Sequence, residues 1–169
     1  MAISPSTTGL LEQSQVRHTL WRISNHLSLT GAGGNLASGR WHTAGHRIVY
    51  LAESPAGAML EILVHRELDE TELPAFYTLL KVVAPAQLAV ELLDCSAVTE
   101  WEENFELTRG IGDEWLRSLR TPLARVPSAV MPDTWNYILN PVHEEARLIE
   151  IAVTRQVRFD PRLLRKVNP

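Results

Sequence analysis

The chain has 169 residues, of which 45 % are hydrophobic and 21 % charged, with a formal net charge of −4. That length suits one domain with a real core, and the acidic balance argues against a broad basic face for nucleic acid. A single cysteine, Cys95, excludes an internal disulfide. No basic-then-apolar leader opens the sequence and no apolar run approaches a membrane span, so the expected location is a reducing cytoplasm.

Residues 1–17 are small and polar and are expected as a flexible N-terminal segment, leaving 18–169 as the domain. Thr19–Ser24 alternates as a strand, with Leu20, Arg22 and Ser24 on one face and Trp21 and Ile23 on the other. Ser28–Gly39 carries Gly31, Gly33, Gly34 and Gly39 and reads as a loop. Arg47–Leu51 is a short strand rich in β-branched residues. Ser54 followed by Pro55 is an N-cap and first helical position, opening a helix that runs to about Arg66. Phe76–Val83 and Leu88–Leu93 read as strands on either side of Pro85. A short amphipathic helix is expected over Asp113–Leu119, ending near Pro122. Ala124–Val126 and Trp135–Leu139 are extended, Leu148–Val153 is a strand, Val157–Phe159 is a candidate for another, and Pro161–Val167 is a last helical turn. Strands dominate around one main early helix, which favours α+β over a doubly wound fold.

Three clusters carry potential chemistry. Between Pro55 and Val64 every residue is apolar or Gly except Glu61, and Gly57, Glu61 and His65 form one stripe at i, i+4 and i+8. A lone carboxylate there is costly to bury unless paired, so the stripe faces either a pocket or solvent. The second cluster is Gly39-Arg40-Trp41-His42-Thr43-Ala44-Gly45, ahead of Tyr50. Its glycines allow close backbone approach to an anion, Arg40 supplies a charged fork, and Trp41 and Tyr50 offer flat rings. The bland alternative is a surface loop with both aromatics as core anchors. No nucleotide-binding glycine fingerprint is present. The third cluster is Arg125-Val126-Pro127-Ser128-Ala129, followed by Asn140-Pro141-Val142-His143. No nucleophile elbow surrounds Ser128; its hydroxyl suits a hydrogen bond to phosphate or ribose, or simply a turn. The six histidines lack metal-site spacing, and His42 and His46, four apart, flank a loop. Arginine far outnumbers lysine, which occurs only as Lys81 and Lys166; a planar guanidinium is the better grip for phosphate.

In this order the pieces resemble the RES family, named for its Arg, Glu and Ser. The resemblance is carried by Leu20-Trp21-Arg22-Ile23, Gly39-Arg40-Trp41, Val49-Tyr50-Leu51-Ala52-Glu53-Ser54, Ala58-Met59-Leu60-Glu61-Ile62-Leu63-Val64-His65, Val126-Pro127-Ser128-Ala129 and Asn140-Pro141-Val142-His143. It spans about Trp21 to His143. Arg22, Glu61 and Ser128 correspond to the three letters, with Arg40 a second candidate for the Arg.

The resemblance implies a single compact α+β domain, similar to ADP-ribosyltransferases, with a mixed, mostly antiparallel β core and peripheral helices. It implies a bacterial type II toxin that consumes NAD by hydrolysis or phosphorolysis, or that transfers ADP-ribose to a protein. NAD is then the substrate, inorganic phosphate a candidate co-substrate, and no further cofactor or metal is expected. The implied partner is an antitoxin with an Xre-type helix-turn-helix; a homodimer inside such a complex is compatible, and direct nucleic-acid or membrane binding is not expected. Nicotinamide–ribose cleavage passes through an oxocarbenium-like state, which a carboxylate at Glu61 would stabilise. Arg22 and Arg40 would hold the pyrophosphate, Tyr50 the nicotinamide, and Ser128 a phosphate or ribose oxygen, with Trp41, Asn140 and His143 completing the NAD site. A non-enzymatic partner-binding domain with Glu61 on a solvent face is the more distant alternative.

Overall fold

Strands rich in β-branched and aromatic residues build the sheet. In a computed structural model, described over residues 17–65 and 74–164, the strands are β1 (Arg17–Ile23), β2 (Val49–Ala52), β3 (Phe76–Pro85), β4 (Val90–Leu92), β5 (Leu123–Pro127), β6 (Trp135–Leu139) and β7 (Glu150–Arg158). They form one seven-stranded sheet in the order β4-β5-β6-β2-β1-β3-β7. Every neighbouring pair is antiparallel except β4–β5. Successive side chains leave a strand on opposite faces, and the core divides accordingly. Ala124, Val126 and Ile138 pack with Trp41, Trp101 and Trp115, whereas Leu123, Leu139, Val49 and Leu51 pack with Leu20 and Val82.

Two helices accompany the sheet: α1 (Pro55–His65) and α2 (Phe105–Ser118). The Ser54 hydroxyl accepts from the Gly57 N–H at 3.0 Å, capping α1 where the sequence places its start. The expected end at Arg66 and the N-terminal segment 1–16 lie outside the described residues, as do residues 165–167 of the final turn, whose described part is a 3-10 turn over Pro161–Leu164.

Two elements differ from the sequence reading. The second helix is twice as long as expected, starting at Phe105 rather than Asp113. Gly110 and Gly112 lower helix propensity, but Asn104 caps the Leu107 N–H at 3.0 Å, and burial of Thr108, Trp115 and Leu116 outweighs the glycines. The last two strand candidates are one continuous strand, β7, paired to β3 from Glu150 to Arg158. Leu148 instead closes a 3-10 turn.

Candidate active site

A cavity of about 330 Å³ opens where the ends of β1, β2, β5 and β6 meet α1. Its walls include Trp21, Arg22, Arg40, Tyr50, Ala58, Glu61 and Asn136. The single carboxylate of α1 therefore faces a pocket, one of the two alternatives left open by its helical stripe. The side chain of His65, also on that stripe, lies outside the described residues.

Glu61 is held by neighbours from the sheet. Its Oε1 accepts a hydrogen bond from Asn136 Nδ2 at 2.7 Å and another from Ser128 Oγ at 3.3 Å. Ser128 is buried and its Oγ accepts from the Val130 and Met131 N–H groups at 3.2 and 3.3 Å. A hydroxyl has one proton to give, and here it goes to Glu61. The geometry thus makes Ser128 a holder of the carboxylate, where the sequence suggested a direct contact to phosphate or ribose. Asn136 was not singled out from the sequence. The available signal was an amide inside the strand Trp135–Leu139, a position where Asn is unfavourable unless its side chain has a task.

Two guanidiniums border the same space. Arg22 donates to the Ser28 carbonyl at 3.4 Å, and burial pushes its pKa down. Arg40 donates to the Glu102 carbonyl at 2.5 Å and lies 4.5 Å over the Phe105 ring. Burial lowers the Arg40 pKa as well, opposed chiefly by the field of Glu61. A partly desolvated cation gains from an anionic ligand what it has lost in hydration, so both arginines suit a phosphate-bearing molecule.

Tyr50 lines the cavity, and its hydroxyl lies 2.8 Å from His42 Nδ1 and accepts from the Trp41 N–H at 3.0 Å. Burial raises the phenol pKa well above its ordinary value. Trp41 touches the cavity, but the residue is only 2 % exposed and its ring tilts against Trp101 at 6.3 Å. It is a core anchor rather than an open stacking face. Asn140 and His143 are not brought to this cavity. Asn140 is buried at the far end of β6, its Nδ2 donating to the Leu116 carbonyl at 2.9 Å and its Oδ1 accepting from the Val142 N–H at 3.1 Å. His143 caps a 3-10 turn, its Nδ1 accepting from the Glu145 N–H at 3.1 Å. Asn140 Oδ1 and His143 Nδ1 serve the turn that follows β6, the structural alternative for that segment, and the Asn140 amide ties it to α2.

One face of α2 fixes the loop that carries Arg40. Arg109 Nε donates to the Gly39 carbonyl at 2.9 Å, and Thr108 Oγ1 to the Arg40 carbonyl at 2.8 Å. The buried Asp113 accepts from the Thr43 N–H at 2.9 Å and from its hydroxyl at 2.7 Å. Gly112 lies so close to Trp41 that a Cβ there would fall 1.9 Å from its carbonyl oxygen. These positions, 108, 109, 112 and 113, share a helix face. Among the described residues no group of three or more His, Cys, Asp or Glu side chains could hold a metal, and no helix is long and apolar enough to cross a membrane.

The α+β scaffold thus brings one held carboxylate, two arginines and Tyr50 together around a small cavity. Residues 19–161 match the family model described as the RES domain. The chain is 44 % identical over 134 residues to a toxin Res of Pseudomonas putida, covering 79 % of this chain and 92 % of the relative. It is 33 % identical over 165 residues to a Prs ADP-ribosylating toxin of Sphingobium, covering 88 % and 98 %. In fold it is similar to a chain of the M. tuberculosis MbcT–MbcA toxin–antitoxin complex, with a TM-score of 0.65 at 18 % identity over 88 % of this chain and 87 % of that one. The chain belongs to the RES-domain family of toxins.

Proposed function

We propose that this toxin breaks the nicotinamide–ribose bond of NAD and passes the ADP-ribosyl group to water or inorganic phosphate. The observation that carries the reading is the placement of Glu61, oriented by Asn136 and Ser128, in one cavity with Arg22, Arg40 and Tyr50. As the bond breaks, positive charge grows on the ribose, and a fixed carboxylate stabilises that charge more than it stabilises the ground state. Arg22 and Arg40 bind the pyrophosphate through charge-assisted hydrogen bonds. The Tyr50 ring bounds the space for nicotinamide. No cofactor beyond the substrate is needed.

One observation favours a second acceptor: a relative matched over 98 % of its length is named Prs ADP-ribosylating toxin. In that reading the same cavity activates NAD and a protein side chain takes the ADP-ribose. We infer an antitoxin partner, since the structural neighbour was solved with its antitoxin, and take it to be of the Xre helix-turn-helix type that the family resemblance implies; assembly of such a pair, a homodimer of the toxin within it, and a cytoplasmic site of action go with that reading.

The test is an NAD-cycling assay on purified protein freed of antitoxin, with and without phosphate, alongside transfer of labelled ADP-ribose to protein. Loss of NAD with release of nicotinamide is expected. Phosphate dependence would mark phosphorolysis, and label on a protein would mark transfer. Unchanged NAD and unlabelled protein in both buffers, from folded toxin, would contradict the proposal.

A further inference from the structure

We propose that His42 is a positioning residue for this site: its Nδ1 takes the proton of the Tyr50 hydroxyl, and the pair brackets the backbone on either side of Arg40. The inference deepens the NAD-cleavage reading and rests on it for the identity of the ligand.

The Trp41 N–H donates to Tyr50 Oη at 3.0 Å, so the oxygen is already an acceptor. Its one proton is directed along the 2.8 Å contact to His42 Nδ1. The Gly39 N–H also reaches Nδ1 at 3.2 Å, shared with the His42 carbonyl at 3.0 Å. With both groups directed at it, we assign Nδ1 as an acceptor, which puts the proton of the neutral ring on Nε2, a buried nitrogen that makes no hydrogen bond of its own. His42 is 3 % exposed, and burial pushes its pKa below the ordinary value, in keeping with a neutral ring.

This arrangement has two consequences. Gly39 and Trp41, the neighbours of Arg40, are both tied to the His42–Tyr50 pair, so the pair sets where the guanidinium starts from. A side chain at position 39 has no room: a Cβ would lie 2.5 Å from Tyr50 Oη and 2.9 Å from the His42 ring. Tyr50 also has no proton left for a leaving nicotinamide. Its contribution is the ring wall and the loop anchor, not acid catalysis.

Asn can replace the acceptor, because its Oδ1 sits about where the imidazole Nδ1 does; Leu cannot. With turnover measured across NAD concentrations, His42→Leu should raise KM about tenfold while kcat stays within a few-fold, because the lost contact is one of uniform binding. His42→Asn should restore KM to near the wild-type value. Independently of activity, nitrogen NMR of the wild-type protein should show His42 with Nδ1 bare and Nε2 protonated at neutral pH, and Tyr50→Phe should shift the Nδ1 resonance. A ring protonated on Nδ1, or an Nδ1 signal indifferent to Tyr50→Phe, would overturn the hydrogen-bond link. Folded His42→Leu with wild-type KM, or a Leu variant not rescued by Asn, would overturn the positioning role. Wild-type protein inert toward NAD would instead strike the functional reading and the substrate named here, while the NMR result still decides the link.

Discussion

Glu61 is joined through one oxygen to two donors from different strand ends, Asn136 on β6 and Ser128 just beyond β5. A charge-assisted bond of 2.7 Å is the stronger of the two. Asn136→Ala should therefore lower kcat about tenfold or more, with a smaller change in KM, since a hydrogen bond to a charged group contributes roughly 1.5–3 kcal/mol. Ser128→Ala should cost less alone, and the double variant should lose less than the two single losses combined, because both act on one atom. Steady-state kinetics of the three variants checks this; additive losses would mean the two donors act separately.

His42 gives a prediction on stability. Burial holds its folded pKa below the ordinary 6.5, so the unfolded chain takes up a proton first as the pH falls. Stability from this group is then complete above about pH 6.5 and is lost as the pH falls toward the folded value. Melting curves from pH 7.5 to 5.5 should drop less steeply in His42→Asn than in wild type; parallel curves would show that His42 is not buried neutral. At this scale Arg22, Arg40, Tyr50 and Glu61 were legible because they sit in recognisable local strings. Asn136 and His42 were not, because their partners lie 75 and 8 residues away and appear only when the strands pair.

The helix α2 decides whether the Arg40 loop is held, and its two glycines separate propensity from packing. Gly110 has open space where a Cβ would go, so Gly110→Ala should stabilise the protein by up to about 1 kcal/mol. Gly112 faces the Trp41 carbonyl, and Gly112→Ala should destabilise by about 1–3 kcal/mol despite the same gain in propensity, because backbone would have to move. Equal effects on thermal melting would refute the close contact. Gly112→Ala should also weaken NAD binding, as Arg40 shifts with its loop. This element was misread from sequence for the same reason that it matters. Glycine within a helix looks like a break until a neighbouring segment is found pressed against it. The start of α1 was legible because Ser54 and Pro55 act locally, as were the strands β3 and β6, which are rich in aromatic and β-branched residues. The single β7 was not, since its exposed polar residues read as a gap, and it is pairing with β3 that carries the strand through.

At the scale of the whole molecule, the α+β class followed from the abundance of short strands, but their order could not. The sheet places β2, carrying Tyr50, between β1, carrying Arg22, and β6, carrying Asn136, although more than 80 residues separate β2 from β6. Long-range pairing of this kind is what assembles the cavity. A toxin with such a site should arrest growth when expressed alone, and co-expression of an Xre-type partner should restore it. Unaffected growth with soluble toxin present would argue against that role. The central claim is that the Glu61 charge acts in the transition state. Glu61→Gln keeps the shape, and its side-chain oxygen can still accept from Asn136 and Ser128. Single-turnover cleavage of NAD, measured with NAD affinity and melting temperature in the same preparation, tests it most directly. The account predicts a rate at least about a hundredfold lower, the effect of one well-placed electrostatic group, with affinity nearly unchanged and the fold intact. A rate near wild type in folded Glu61→Gln would contradict it.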